Sequence, residues 1–345
     1  MFDNPQHTSL DTIGEFALIE QITKHVKLTH ANTVKGIGDD AAVLLKSVDT
    51  LQVITTDMLV EGVHFDLMYT PLKHLGYKAV VVNLSDVCAM NAVPRQITVS
   101  IAVSSKFTLE AIEELYSGIL AACNIYKVDL IGGDTTTSKS GLIISVTAIG
   151  ETNINNITYR HTAQENDLLC VTGDLGAAYM GLQVLEREKQ VFLDNPELQP
   201  DIDGHDYIVE RQLKPEARID IIAQLLKEQV VPTSMIDVSD GLASEILHLC
   251  KASKLGCNVY ESKLPIDATT FQTALDFNII PQVCAMNGGE DYELLFTIKQ
   301  QDFDKIKDKK SITVIGHMTA EGNSANLITN ANAVLPIEAQ GWKHF

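Results

Sequence analysis

Cysteine is scarce in this sequence, and the patterns that usually give cysteine a function are absent. Six cysteines are scattered over 345 residues, with no C-x-x-C pair among them. They lie in apolar stretches, which is typical of small buried side chains in a reducing compartment. A disulfide framework and a zinc site are therefore excluded.

Targeting and membrane signals are also missing. The first residues, MFDNPQHTSLDTIGEF, contain neither the basic region nor the apolar core of a signal peptide. No apolar run approaches the ~18 residues that a membrane-spanning helix needs. We therefore expect a cytoplasmic protein that has no membrane partner.

Basic residues are outnumbered by acidic ones. Lys and Arg total 26 against 45 Asp and Glu, which gives a formal net charge of −19. A surface of this sign repels nucleic acid and anionic lipid, so neither is expected as a partner. It also repels phosphate groups unless cations lie between. With 45% hydrophobic residues the composition is otherwise that of an ordinary globular protein, and the length predicts about two domains.

The familiar nucleotide and nucleophile motifs are absent as well. No Gly-Lys dipeptide occurs, so there is no P-loop, and the G-x-S-x-G, H-E-x-x-H and EF-hand patterns are missing. The stretch GIGDDAAVL at 36–44 has the glycine spacing of a dinucleotide loop. However, no apolar strand precedes it, the segment after it predicts a strand, and its two aspartates would repel a pyrophosphate. The dinucleotide interpretation is therefore rejected.

Strand and helix patterns alternate in both halves of the chain, which predicts an α/β (α+β) fold. A buried strand is predicted at 51–57. Residues 128–137 predict a strand that runs into a glycine loop, and residues 186–212 predict a charged surface excursion. The change of pattern places two domains at 1–151 and 152–345.

Aspartates recur at predicted strand ends and tight turns, and one lies in an apolar helix. The set is Asp39, Asp40, Asp57, Asp86, Asp134, Asp237 and Asp240. A turn aspartate such as Asp40, or a helix N-cap such as Asp240, needs no further function. Asp86 is different, since an ionised carboxylate among Val, Leu, Cys and Met is costly unless it is paired or metal-bound. Together, carboxylates and neighbouring hydroxyls are the hard oxygen ligands that Mg²⁺ prefers, so we predict several Mg²⁺ ions bridging to a polyphosphate.

A set of motifs also occurs in one order along nearly the whole chain. They are GEFALIEQI, GIGDDAAVL, ITTDMLVEGVHF, YKAVVVNLSDVCAMNAVP, LIGGDTT, YRHTAQENDLLCVTGDLGAAYMGL, RQLKPEARI, IDVSDGLASEI and NGGEDYELLF. This set resembles the thiamine-monophosphate kinase family of the aminoimidazole-ribonucleotide-synthetase-like superfamily. The resemblance implies a mixed-sheet N-terminal domain that binds ATP and Mg²⁺ and forms a homodimer. It also implies a C-terminal α/β domain that completes the ATP and substrate site.

The resemblance further implies an activity and the residues that carry it. The activity is transfer of the ATP γ-phosphoryl group to thiamine monophosphate, giving thiamine diphosphate and ADP. The implied Mg²⁺ ligands are Asp40, Thr55, Thr56, Asp57, Asp86, Asp134, Asp237 and Asp240. The implied ATP contacts are Gly133, Asp134, Arg160 and Ser239, and the implied substrate contacts are His64, Glu290 and Trp342. No catalytic nucleophile or base is expected, because a phosphate monoester with a second pKa near ~6 is already largely a dianion at neutral pH.

Other functions stay open at this point. A synthetase of the same superfamily would share the aspartates, although a selenophosphate synthetase is disfavoured because no cysteine precedes the GDD loop and the first is Cys88. A non-catalytic protein that binds Mg²⁺ and nucleotide would take up ATP without releasing ADP when thiamine monophosphate is added. In isolation, His64 is more typical of a packed histidine that has no ligand, and Arg160 is more typical of a surface base after a turn.

Overall fold

The structure is a computed structural model that describes residues 10–320, 322 and 324–340. Within these residues the chain forms ten α-helices and thirteen strands. The helices are α1 (Leu10–Thr23), α2 (Leu72–Ala89), α3 (Leu109–Tyr126), α4 (Ala177–Asp194), α5 (Asp206–Leu213), α6 (Ile219–Lys227), α7 (Leu242–Ser253), α8 (Ala268–Asp276), α9 (Pro281–Asn287) and α10 (Phe303–Ile306). The strands are β1 (Thr33–Lys35), β2 (Ala42–Leu45), β3 (Thr50–Val60), β4 (Val93–Val103), β5 (Asp129–Thr137), β6 (Leu142–Asn153), β7 (Leu168–Thr172), β8 (Ser234–Asp237), β9 (Gly256–Tyr260), β10 (Leu294–Ile298), β11 (Ile312–Thr319), β12 (Ala325–Ile328) and β13 (Val334–Pro336). None of the described helices is long and apolar enough to cross a membrane.

The N-terminal half forms a six-stranded mixed sheet in the order β1-β2-β3-β6-β4-β5. Burial alternates along β6, as expected for a sheet that is covered on one face. Helix α2 covers that face by contacting β3, β4 and β6, and α3 packs along α2. Gly118 of α3 permits this close approach, since a Cβ atom there would lie 1.8 Å from the carbonyl oxygen of Lys73.

The C-terminal half forms a seven-stranded mixed sheet in the order β13-β12-β9-β11-β7-β10-β8. Alternate residues of β10 enter two different cores, because successive strand side chains point to opposite faces. Phe296 packs in a cluster that also contains residues of α2 and the N-terminal sheet, whereas Leu295 packs in a second cluster with residues of α7. The first of these clusters therefore joins the two halves, and the second belongs to the C-terminal half.

Helix α2 lies at the junction of the two halves. It contacts β3 of the first sheet and β8 of the second. Its central and C-terminal residues are nearly all buried. Polar side chains on this helix are therefore held between the two sheets.

The α/β prediction is confirmed, whereas one local prediction is wrong and a second holds only in part. The predicted glycine loop is part of the continuous strand β5. Glycine is needed there for a close strand approach, since a Cβ atom at Gly133 would lie 1.8 Å from the carbonyl oxygen of Val99. The surface excursion predicted at 186–212 is present only in its middle part, because α4 continues to Asp194 and α5 begins at Asp206. Residues 195–205 between these two helices are non-helical and almost entirely exposed, and they contain Pro196 and Pro200.

Candidate active site

A cleft with a volume of about 1130 Å³ lies between the two halves. Residues of α2, β3, α4 and the segments after β8 and before β10 line it. Nine carboxylate side chains line the cleft against three basic ones, which are Lys78, Arg160 and Lys189. An anionic ligand therefore requires added positive charge to bind here.

Three of the sequence-predicted metal ligands meet in this cleft. One carboxylate oxygen from each of Asp40, Asp86 and Asp237 lies within 4.8 Å of the other two. These residues come from the turn before β2, the C-terminal part of α2 and the end of β8. Asp40 and Asp237 are buried, and Asp86 is partly exposed to the cleft. The set of these three residues is called the aspartate triad below.

Two of the triad carboxylates are held by neutral donors. Thr55 Oγ1 donates to Asp86 Oδ2 at 2.6 Å, and Ser85 Oγ donates to Asp237 Oδ2 at 2.6 Å. Burial raises the pKa of Asp86 well above its ordinary value, and the negative charge of Asp57 and the other triad members adds to the shift. The pKa of Asp237 is raised by burial and by Asp40. Hydroxyl donors alone therefore do not compensate the charge of the triad.

Arg160 compensates the charge of one triad member, Asp40. Its Nε donates to Asp40 Oδ2 at 2.9 Å, and its Nη2 donates to Asp40 Oδ1, which makes the pair bidentate. The backbone N–H of Arg160 donates to Asp39 Oδ1 at 3.2 Å. The guanidinium predicted to contact ATP is thus bound to a carboxylate in this structure, and it ties the GDD turn to the segment that enters the C-terminal half.

Successive side chains of strand β3 point in opposite directions, and this separates the predicted ligands Thr56 and Asp57. Asp57 lies on the α2 side, where Asn83 Oδ1 accepts a hydrogen bond from the backbone N–H of Asp57 at 2.9 Å. Thr56 also lines the cleft, but its Oγ1 donates to the carbonyl oxygen of Val146 at 3.0 Å. The structure therefore does not bring the Thr56 hydroxyl to the triad, because successive strand side chains face opposite ways.

Ser239 and Asp240 line the cleft from the turn between β8 and α7. The carbonyl oxygen of Ser239 accepts a hydrogen bond from the backbone N–H of Glu290 at 2.6 Å. Glu245 Oε1 accepts a hydrogen bond from the backbone N–H of Asp240 at 3.1 Å. The N-cap of α7 is Gly241, so Asp240 does not serve as the helix cap that its sequence position also allowed.

Two of the three predicted substrate contacts lie in the same cleft. His64 and Glu290 both line the cleft. His64 Nδ1 accepts a hydrogen bond from the backbone N–H of Val60 at 3.0 Å, which places the ring proton of the neutral form on Nε2. Trp342, the third predicted contact, lies outside the described residues.

Gly133 and Asp134 lie away from this cleft in the single chain. Both are exposed on β5, the edge strand of the first sheet. Asp134 pairs with Ser100 of β4, and β4 and β6 lie between β5 and β3. Three strand spacings correspond to roughly 14 Å. One chain therefore does not place Asp134 beside Asp57.

Two polar side chains of the cleft wall that the sequence did not single out are Lys78 and Gln212. Lys78 could have been found, because a lysine that interrupts the apolar run of α2 is unusual. Gln212 gives no sequence signal, since its position depends on how α5 packs against α2.

The donor set of the triad fits a hard divalent cation such as Mg²⁺. Its members are carboxylate oxygens, with the Thr55 and Ser85 hydroxyls beside them. Of the three carboxylates only that of Asp40 has a bidentate guanidinium partner. The excess negative charge within 4.8 Å is the arrangement that a bound cation would stabilise.

Comparison with known proteins shows the family of this chain. Residues 38–152 match the family model for the AIR synthase related protein, N-terminal domain. The chain is 33% identical to the thiamine-monophosphate kinase of Bacillus subtilis (strain 168), over 96% of this chain and 100% of that protein. It is 36% identical to the thiamine-monophosphate kinase of Buchnera aphidicola subsp. Schizaphis graminum (strain Sg), over 96% and 99% of the two chains. A solved structure described as "AaThiL complexed with AMPPCP and TMP" superposes with a TM-score of 0.84 at 30% identity, over 99% of this chain and 100% of that one. This chain therefore belongs to the thiamine-monophosphate kinase family.

Proposed function

We propose that this chain transfers the γ-phosphoryl group of ATP to thiamine monophosphate, giving thiamine diphosphate and ADP, by direct in-line transfer assisted by Mg²⁺. The observation that carries the proposal is the aspartate triad in a cleft between the two halves of a chain of this family. The similar solved structure contains AMPPCP, an ATP analogue, together with TMP. That pair of ligands supports a cleft that accepts a nucleotide and a phosphorylated acceptor at once.

The chain's contribution to the reaction is positioning and charge rather than a nucleophile. The acceptor phosphate is largely a dianion at neutral pH, since its second pKa lies near ~6. Phosphoryl transfer then depends on holding two anions in line and on neutralising the charge of the group that moves. Bound Mg²⁺ would supply that neutralisation. Asp40, Asp86 and Asp237 would hold the metal, with Asp57 and Asp240 as neighbouring carboxylates.

The remaining side chains of the cleft orient these ligands and the two substrates. Thr55 and Ser85 fix the directions of the Asp86 and Asp237 carboxylates. Arg160 and Ser239 lie where we propose that ATP binds. His64 Nε2 and the Glu290 carboxylate would contact thiamine monophosphate, and we propose the same role for Trp342.

We also propose that residues 1–151 form the domain for ATP binding and dimerisation, and that residues 152–345 complete the site. Strand β5 supports this, because it is an exposed edge on which Ile131 is 58% exposed. A second copy bound at this edge would bring Gly133 and Asp134 to the cleft of that second copy. Light scattering at micromolar concentration should give the mass of a dimer, and a monomer mass would contradict the proposal.

Product analysis after mixing the protein with Mg²⁺, ATP and thiamine monophosphate tests the function. We expect ADP and thiamine diphosphate in equal amounts, and neither when EDTA replaces Mg²⁺. ADP that forms only with a different acceptor would favour a synthetase of the same superfamily. Nucleotide binding without ADP release would indicate a non-catalytic binding protein.

A further inference from the structure

Lys78 is a buried cation on the wall of the cleft. The residue is 4% exposed and lies within the largely apolar helix α2. Its Nζ lies 3.0 Å from Glu290 Oε1 and donates to the carbonyl oxygen of Gln212 at 3.0 Å. A buried ammonium group is unfavourable unless it is paired, so these partners determine where the Lys78 side chain can lie.

Glu290 reaches this lysine from a backbone turn that ordinary residues rarely adopt. The φ angle is +57° at Glu290 and +52° at Tyr292, both in the left-handed region. The turn is anchored on both sides. The N–H of Glu290 donates to the carbonyl oxygen of Ser239 at 2.6 Å, and Asp291 Oδ2 accepts from the N–H of Gly176 at 2.7 Å. Backbone strain of this kind at the wall of a cleft indicates that the direction of the side chain matters.

Gln212 completes the arrangement from a third element, α5. Its Nε2 donates to Glu290 Oε2 at 2.8 Å. One carboxylate oxygen is therefore bound by an ammonium group and the other by an amide. If the Gln212 side-chain amide rotated by half a turn, its oxygen would face the Glu290 carboxylate and the two would repel. The orientation of the amide is therefore fixed. The Glu290 carboxylate is thus restrained at both oxygens.

We propose that Lys78 is a positioning residue for the phosphoryl acceptor. Together with Gln212 it fixes the Glu290 carboxylate at the acceptor side of the cleft, and it thereby sets the affinity for an acceptor that carries a positively charged ring. The inference rests on the proposed function, since thiamine monophosphate has a cationic thiazolium ring. Without Lys78, the Glu290 carboxylate would face the other acidic side chains of the cleft uncompensated.

Initial-rate kinetics of the full-length protein test this role. We expect K78M to raise the KM for thiamine monophosphate about tenfold while the KM for ATP and kcat change less than about twofold, because only one charged hydrogen bond on the acceptor side is lost. K78R should recover most of the affinity, since a guanidinium group also pairs with a carboxylate. K309M is the matched control, because it removes a lysine that pairs with Glu228 at 2.6 Å away from the cleft. Its kinetic constants should equal those of the wild type.

A double-mutant cycle separates positioning from a direct or structural role. If Lys78 acts through Glu290, K78M should add no further increase in KM to an E290Q protein. A further tenfold increase in the double variant would overturn the proposal, as would an unchanged KM in K78M. If K78M alone does not fold, the comparison of E290Q with the double variant still tests whether Lys78 acts through Glu290. The double variant is expected to fold, because neither position 78 nor position 290 then carries an unpaired charge. A wild type that does not phosphorylate thiamine monophosphate would instead overturn the proposed function, and this inference with it.

Discussion

Replacing Asp86 by Asn removes one negative charge from the aspartate triad with little change of shape. Two unit charges that lie within 4.8 Å of each other repel by about 3 kcal/mol or more at an effective dielectric constant of ~20. Part of this repulsion is already relieved, because burial and like charge raise the pKa of Asp86. Part of the gain is offset by a weaker hydrogen bond from Thr55. We therefore expect metal-free D86N to be more stable than the wild type by about 1 kcal/mol, which corresponds to a Tm rise of roughly 2 °C.

Calorimetry in EDTA and in Mg²⁺ measures the stability of the variant without and with the metal, and steady-state kinetics measure its turnover. The Tm of the wild type should rise when Mg²⁺ is added, by linkage to metal binding. That rise should be smaller in D86N, and kcat should fall by about 100-fold or more. A D86N protein that is less stable in EDTA, responds normally to Mg²⁺ and turns over at the normal rate would refute the reasoning.

Three further substitutions test other parts of the molecule. G118A places a Cβ atom 1.8 Å from the carbonyl oxygen of Lys73, so α2 and α3 must separate. We expect a loss of about 3 kcal/mol in urea unfolding, and an unchanged midpoint would contradict this. R160K replaces the bidentate pair with Asp40 by a single contact, so the KM for ATP should rise about tenfold. Equal KM values for ATP in the two proteins would argue against it. Burial lowers the pKa of His248 to about 4. The fold therefore favours the neutral ring, and this contribution to stability is lost as pH falls from about 6.5 to about 4. H248Q should show a flatter Tm profile over that range, whereas parallel profiles would contradict the assignment.

The sequence was informative wherever local chemistry determines the outcome. Asp86 stands out in an apolar helix, and the structure places it beside Asp40, which lies in a turn, and Asp237, which ends a strand. Strand-end carboxylates from different elements meet because α2 lies between the two sheets. Alternation along a strand is equally local, and it could have shown that Thr56 and Asp57 point to opposite faces.

The rest depends on tertiary arrangement and could not be derived from one sequence. Two glycines before Asp134 suggested a loop, but the second of them permits a close approach of β5 to β4. The charges after residue 186 suggested one long excursion, but only residues 195–205 leave the helical backbone, and α4 and α5 occupy the rest of the stretch. The contact of Gln212 with Glu290 exists only because α5 and the turn before β10 reach the same cleft.

The most direct test of the central claim is a crystal structure with Mn²⁺ in place of Mg²⁺, together with AMPPCP, recorded at a wavelength where manganese scatters anomalously. We expect an anomalous peak within coordination distance of carboxylate oxygens from Asp40, Asp86 and Asp237. Peaks only elsewhere, with these carboxylates still bound to Arg160, Thr55 and Ser85 alone, would contradict the claim that acidic side chains hold the cations on which phosphoryl transfer depends.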